Sequence, residues 1–406
     1  MIKTSRGWCV FSAMIGLFFI FCCISSTQAQ VKSETEPNDN WEAANEIRIG
    51  ESIEGYFQKD NDYDWYKLIV DKPGKNYIRI ELSGVPGINS YLRLCDEKGN
   101  TIWDVNDADA GGAEQIVHFP VNPGTYFVRI TVSGKAAKEK YILSTRITDP
   151  WQEGQESEPN DRAESANELK LGQAVGGFFA KRYDEDWFKL IVDKPGKSLV
   201  EIDMTAVPGV NSSLTLRDEN GSFMLEANET RENAPESIFN LALAQGTYYI
   251  QLYAREANIN NHYVLHTRIL GPWREGLEAE PNDAREKATE IRLGQNVEGY
   301  FQKDNDYDWY KLVVDKPGKS DIQIDLSAVP GVDAMFDILD KDGKDLWRAS
   351  DVSKGEPESV KYLTVAEGVY YIWFIRLFSG SMMIYNDSEE NRSHARYRAL
   401  SLSFGS

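Results

Sequence analysis

Apolar and polar residues alternate along NYIRIELSG from Asn76, along GTYFVRITV from Gly124 and along KYILSTRI from Lys140. A period of two is that of a half-buried strand. WYKLIVD from Trp65 reads as a further strand, closed by Lys72-Pro73-Gly74-Lys75. Pro presets φ and Gly accepts φ > 0, the chemistry of a type II turn. ESIEGYFQ from Glu51 reads as a short strand, and YLRLCDEKGNTIWDV from Tyr91 as a hairpin with Glu97-Lys98-Gly99-Asn100 at its tip. Between them lies an acidic loop, DNDYDW from Asp60. ETEPNDNWEAANEI, from Glu34, reads as a loop leading into one helical turn over Trp41 to Ile47. No stretch sustains helical periodicity for three turns.

The pattern then recurs. ETEPND at Glu34 returns as ESEPND at Glu156 and EAEPND at Glu278, each 122 residues after the last. DNDYDWYKLIVDKPGK at Asp60 returns at Arg182 and Asp304 with few changes. Val-Pro-Gly recurs at Val85, Val207 and Val329, and a Gly-x-Tyr-aromatic run at Gly124, Gly246 and Gly368. A period this long is a whole domain in tandem, because about 100 residues suffice for an independent sandwich core. The expected fold is all-β: three tandem antiparallel β-sandwiches, jelly-roll-like, over residues 30–149, 150–271 and 272–406. Asp149-Pro150-Trp151 and Gly271-Pro272-Trp273 read as short linkers whose Trp rings pack on a neighbouring domain.

Residues 1–29 depart from this pattern. Lys3 and Arg6 precede an almost wholly apolar run from Trp8 to Ile24, and small residues follow at Thr27 and Ala29. That is the anatomy of a secretory signal peptide. The alternative is an uncleaved anchor; a lipoprotein signal fits less well, because Phe21 and Cys22 precede the cysteines where a small residue is expected. No other segment is apolar enough to span a membrane. Three of the four cysteines lie in this leader, leaving Cys95 alone, so no intrachain disulfide can form and the domains must be held by core packing or bound ions. Cys95 is read as a packed thiol, not a nucleophile, since Arg217 and Leu339 stand at its place in the other copies.

Without the leader the chain has 42 basic and 64 acidic residues, a net charge of −22. Such a surface repels phosphate backbones and disfavours nucleic acid as a partner; it suits an extracellular protein and cation binding. The acids are also placed for a cation. In the first copy Glu34, Glu36, Asn38 and Asp39 share one hexapeptide, and Asp62 and Asp64 follow about two dozen residues on. The equivalents are Glu156, Glu158, Asn160, Asp161, Asp184 and Asp186, then Glu278, Glu280, Asn282, Asp283, Asp306 and Asp308. If the two loops meet, five carboxylates and an amide converge, which requires a compensating cation. An all-oxygen set of this size suits Ca²⁺, about one or two ions per repeat, and Mg²⁺ less. With no Cys or His nearby, zinc is disfavoured. The alternative is that Asn38 or Asp39 caps the helical turn and the other acids are solvated surface.

These residues resemble a known family. Glu-Pro-Asn-Asp at the start, Asp-x-Asp followed by two aromatics, then Pro-Gly, and Gly-x-Tyr-aromatic near the end are similar to the bacterial pre-peptidase C-terminal domain. Three copies would cover nearly the whole chain after the leader. The resemblance implies β-sandwiches appended to secreted peptidases and other extracellular proteins, without catalysis of their own. It is also similar to the collagen-binding modules of clostridial collagenases, where the corresponding acidic segment and Asp loop bind calcium. That implies calcium on the same residues of each copy here. No ligand is implied, because collagen binding is not shared by all relatives.

No catalytic constellation stands out. His118, His262, His266 and His394 are not repeated in register, and His262 and His266 lie in a strand that separates them by about 13 Å. There is no nucleophile elbow or phosphate loop, and chance pairing among so many acids is the default. The strand after the late glycine is the better clue. In the first copy its faces carry Tyr126, Val128 and Ile130 against Phe127, Arg129 and Thr131. The second face becomes Tyr249, Gln251 and Tyr253 in the second copy, and Tyr371, Trp373, Ile375 and Leu377 in the third. If that face is solvent, Tyr371, Trp373, Ile375, Tyr249 and Tyr253 form a partner surface; otherwise the extra segment with Met382, Met383 and Ile384 covers the third stripe. The reading is a secreted, non-enzymatic, calcium-binding protein that binds or presents an extracellular polymer or protein. A structural spacer, or an accessory subunit of a secreted peptidase, is the alternative.

Overall fold

The computed structural model describes residues 31–228, 232–301, 306–329, 332–350, 355–377 and 395–404, with backbone alone over 376–377 and 395–404. The expected leader and the segment with Met382, Met383 and Ile384 lie outside these residues. Among the described residues the only helices are three-residue 3-10 turns, and no helix is long and apolar enough to cross a membrane.

The first repeat has ten strands: β1 Lys32–Ser33, β2 Asn45–Arg48, β3 Ser52–Gly55, β4 Tyr63–Val70, β5 Asn76–Leu82, β6 Asn89–Cys95, β7 Thr101–Val105, β8 Glu114–Val121, β9 Gly124–Ser133 and β10 Tyr141–Pro150. They form two five-stranded sheets, ordered β1-β3-β10-β5-β8 and β2-β4-β9-β6-β7. Alternate residues of both sheets, among them Ile47, Leu68, Ile80, Leu94 and Val128, interdigitate as one core. Burying such side chains fully is worth roughly 1.5–3 kcal/mol each. Gly74 at +83° adopts the left-handed φ that the Pro-Gly turn requires, as do Gly196 and Gly318.

The second and third repeats follow the same plan with longer strands. Asp184–Met204 covers the lengths of β4 and β5 in one strand, and Glu236–Ala254 those of β8 and β9; the two pair along both halves, with a register break between Val192 and Lys197. Each repeat then reads as one seven-stranded system, with its own core cluster. The all-β expectation holds.

Two local expectations are corrected. The helical turn stops at Ala43, and Asn45–Arg48 continues as a strand parallel to β4. The residue that caps the turn is Asn40, whose side chain accepts from the Ala43 amide, so neither Asn38 nor Asp39 does so. In the other repeats Arg162 and Ala284 hold the cap position without a side-chain bond.

Candidate metal centres and the family match

Each acidic hexapeptide runs past the start of the strand that carries the second Asp. Trp65 N–H donates to Asn38 O at 3.0 Å, Trp187 to Asn160 at 2.8 Å and Trp309 to Asn282 at 3.0 Å. This one backbone bond pins the hexapeptide against the Asp pair, and the Glu36–Pro37, Glu158–Pro159 and Glu280–Pro281 bonds are all cis. Three carboxylates of each expected set come together. Ligand atoms of Glu36, Asp62 and Asp64 lie within 4.8 Å of one another, as do those of Glu156, Glu158 and Asp186, and of Glu278, Glu280 and Asp308.

The first Glu of each hexapeptide is anchored by the neighbouring strand. Tyr56 N–H donates to Glu34 Oε1 at 2.6 Å, Phe178 N–H to Glu156 Oε1 at 2.5 Å and Tyr300 N–H to Glu278 Oε2 at 2.8 Å. The Glu36, Glu158 and Glu280 carboxylates accept from the amides of Asn38, Asn160 and Asn282 at 2.7 to 2.9 Å. Asp62 and Asp184 accept from Gln58 N–H and Ala180 N–H, each at 2.6 Å. Asp64 and Asp186 sit on strands, not in the loop, and are fully buried. Asp39 and Asp161 turn away to ion pairs with Lys59 and Lys181, and Asp283 is half-buried. Asp306 is buried just ahead of the third strand.

Sequence reasoning missed the tyrosines and the glycine. Tyr141 Oη donates towards Glu34 at 3.0 Å and Asp64 at 2.6 Å, and Tyr263 Oη towards Glu156 at 2.7 Å and Asp186 at 2.8 Å. Tyr66 Oη reaches Glu34 at 2.7 Å. In register Tyr141 stands opposite Gly55, Tyr263 opposite Gly177 and Tyr397 opposite Gly299. A Cβ on Gly55 or Gly177 would collide with the tyrosine hydroxyl and the glutamate carboxylate. The signal was available: this Gly recurs at the 122-residue spacing.

The charge state of these centres follows from burial. Desolvation pushes Asp64 up to about 8, and the neighbouring Glu34, Asp62 and Glu36 charges add to that. It pushes Glu156 up to about 8 and Asp184 up to about 7. Glu158, Asp186, Glu280 and Asp308 are also raised by burial, and then by neighbouring carboxylates, Asp184 and Glu156 in the second centre and Glu278 and Asp306 in the third. These carboxylates cannot all ionise near neutral pH without a cation.

The donor set fits a hard cation. Glu158 Oε1, Asp184 Oδ1 and Asn282 Oδ1 are buried oxygens with no hydrogen-bond partner, and leaving such oxygens unmatched is costly. The Asn38 and Asn160 amides can sit two ways. With nitrogen inward, Asn38 donates to Asp64 Oδ1 at 3.2 Å and Glu36 Oε2 at 2.9 Å, and Asn160 to Glu158 Oε2 at 2.6 Å and Asp186 Oδ1 at 3.1 Å. With oxygen inward, the same place holds only oxygens, the arrangement a cation requires.

On the outer faces, the first repeat is not plainly solvated: Phe127 is buried with Trp65 and Cys95. Tyr249 and Tyr253 are half-buried. In the third repeat Tyr371 lies under Arg285, 4.1 Å from the ring centroid, while Trp373 packs beside Tyr307 and Trp309. Tyr371 and Trp373 are half-buried, and Ile375 is buried at 7% exposure, so it offers no surface.

Residues 62–131 match the model of the bacterial pre-peptidase C-terminal domain. A collagenase, ColA, of Clostridium perfringens is 22% identical over 233 residues, 55% of this chain. The chain spans about a fifth of the length of that curated relative, 21%. A crystal structure of the pre-peptidase C-terminal domain of a Bacillus anthracis collagenase matches at 20% identity and a TM-score of 0.21, over 28% of this chain and all of that one. A putative secreted protein from Eubacterium rectale matches at 8% identity and a TM-score of 0.20, over 60% of this chain and 80% of that one. The family match thus falls within the first repeat, which is similar to the bacterial pre-peptidase C-terminal domain.

Proposed function

We propose that the chain is a secreted, non-catalytic string of three such modules, each holding calcium at its N-terminal edge, that binds or presents an extracellular polymer or protein. The observation that carries the calcium reading is the recurrence of an acidic centre at the start of every repeat, with unmatched buried oxygens on Glu158, Asp184 and Asn282 in the second and third. Glu36, Asp62 and Asp64, with the Asn38 amide oxygen, would hold the first ion; Glu156, Glu158 and Asp186 with Asn160, and Glu278, Glu280 and Asp308 with Asn282, would hold the others. The ion would neutralise the carboxylates and tie each hexapeptide to the following strand. Tyr371 and Trp373, on the outer face of the third repeat's sheet, are the surface offered to a partner.

Melting the full chain in calcium and in chelator tests the metal reading, since a ligand of the native state must raise the melting temperature. An unchanged melting temperature would overturn it. Co-sedimentation with insoluble polymers, collagen fibrils first, tests the binding reading, with Trp373→Ala expected to release the chain.

The spacer reading has its own support in ordered joints. Trp151 Nε1–H donates to Glu156 O at 2.8 Å while Lys75 Nζ lies 4.4 Å from its ring. Trp273 Nε1–H donates to Leu277 O at 3.2 Å, and Lys197 lies over its ring. Intact rigidity without any polymer binding would favour that reading.

A further inference from the structure

One position of each repeat reaches across a joint. His118, Asn240 and Tyr362 are 122 residues apart, and all three have left-handed backbone, at φ of +53°, +57° and +62°. In the first two repeats this residue's side chain contacts the repeat that follows. His118 stacks on Phe178 with centroids 3.6 Å apart, and its Nε2 lies 2.8 Å from Ile259 O. Asn240 donates to Glu278 Oε2 at 3.1 Å, while Phe239 beside it packs edge-on against Tyr300 at 5.5 Å. The receiving ring is again one position, Phe178 in one joint and Tyr300 in the other.

Among the described residues, both halves of this joint also occur exposed. The projecting side of the third repeat carries Tyr362, 67% exposed, with the exposed Lys361 beside it. A bulky residue at positive φ is uncommon and is maintained against a backbone cost, yet this ring stays 67% exposed, so little burial offsets that cost. The receiving side of the first repeat carries Tyr56, 39% exposed, at the place of Phe178 and Tyr300. Beside it Glu34 and Glu36 are half-buried, whereas their equivalents Glu156, Glu158, Glu278 and Glu280 are between 0 and 5% exposed beneath the preceding repeat. Where the internal joints have Val117 and Phe239, the third repeat has Lys361, which complements the two open glutamates.

We propose that the third repeat of one copy docks on the first repeat of a second copy, with Tyr362 against Tyr56 and Lys361 towards Glu34 and Glu36. The contact is head-to-tail, so a pair leaves one face of each copy open and association continues past the dimer rather than stopping at a symmetric one. It does not rest on the calcium reading. Within one chain the linker supplies an effective concentration of about a millimolar, so the contact between copies is weak and is best read up to about 0.5 mM.

The test is sedimentation velocity of the full chain over a concentration series. The expected result is a weight-average size that climbs past dimer without a plateau. Tyr362→Asp, which an Asp-tolerant left-handed backbone accepts, and Lys361→Glu should each hold the chain as monomer, as should Tyr56→Ala. Mixing Tyr362→Asp with Tyr56→Ala restores one intact contact per pair, and should give dimers and nothing larger. A wild type that stays monomeric, a wild type that stops at dimer, or variants that associate as wild type does would each overturn the proposal.

Discussion

The first and second acidic centres are built from the same residues but sit in different surroundings. Glu34 and Glu36 are half-buried, while Glu156 and Glu158 are 1 and 5% exposed because the first repeat lies over them. Tyr77 Oη–H donates to Glu156 O at 2.9 Å across that joint, and Lys75 Nζ reaches Ser157 Oγ at 2.5 Å. The lesson is that the preceding repeat is part of each centre after the first. The supports also differ. Tyr66 and Tyr141 both hold Glu34, but Phe188 stands in place of Tyr66 in the second repeat, which leaves Tyr263 alone.

The largest expected contrast is between two glycines. Gly177→Ala forces a Cβ into Glu156 and Tyr263 in a closed centre, and should cost about 3 kcal/mol; Gly55→Ala should cost about 1–2 kcal/mol, since half-open Glu34 can swing outward. Urea unfolding reads both, and equal losses would erase the distinction. Next are the hydroxyls. Tyr263→Phe should weaken calcium at the second centre by about 10- to 100-fold. Tyr141→Phe should do so by less than about 10-fold, because Tyr66 remains. Calcium titrations of the two variants decide this.

A pH series comes third. Asp64, Glu156 and Asp184 are raised by burial to about 8, about 8 and about 7. An acid raised in the folded state contributes stability below its ordinary value near 4, and loses it as pH climbs through the folded value. Without a cation the chain should therefore lose stability from about pH 4 to about pH 8. Calcium offsets that loss, so the melting-temperature gap between calcium and chelator should widen as pH rises over this range. A constant gap would contradict the account. The smallest effect is at the joints: Asn240→Ala removes one buried donor to Glu278 and should cost about 1 kcal/mol, seen as earlier melting of the third repeat.

Much of this was legible in the chain. Strict alternation marked β5, β9 and β10, and Pro-Gly marked the turn whose Gly74 has positive φ. The spacing of the hexapeptides also pointed to the acids that converge. β8 escaped notice because its residues are nearly all buried, so IVHFPV has no polar alternation to read. The short β2 strand reads as helix in the sequence because its register comes from pairing with β4, not from local propensity. Tyr141 and Tyr263 escaped because their role depends on long-range register opposite Gly55 and Gly177. The joint position at His118, Asn240 and Tyr362 escaped because three dissimilar side chains share only a backbone conformation.

The most direct measurement is a calorimetric titration of the full chain with calcium. The account predicts about three ions per chain in two classes, one weaker ion at the half-open first centre and two tighter ones at the covered centres. A single uniform class would contradict the part assigned to the preceding repeat. No binding at all would contradict the reading of the acidic centres as calcium sites.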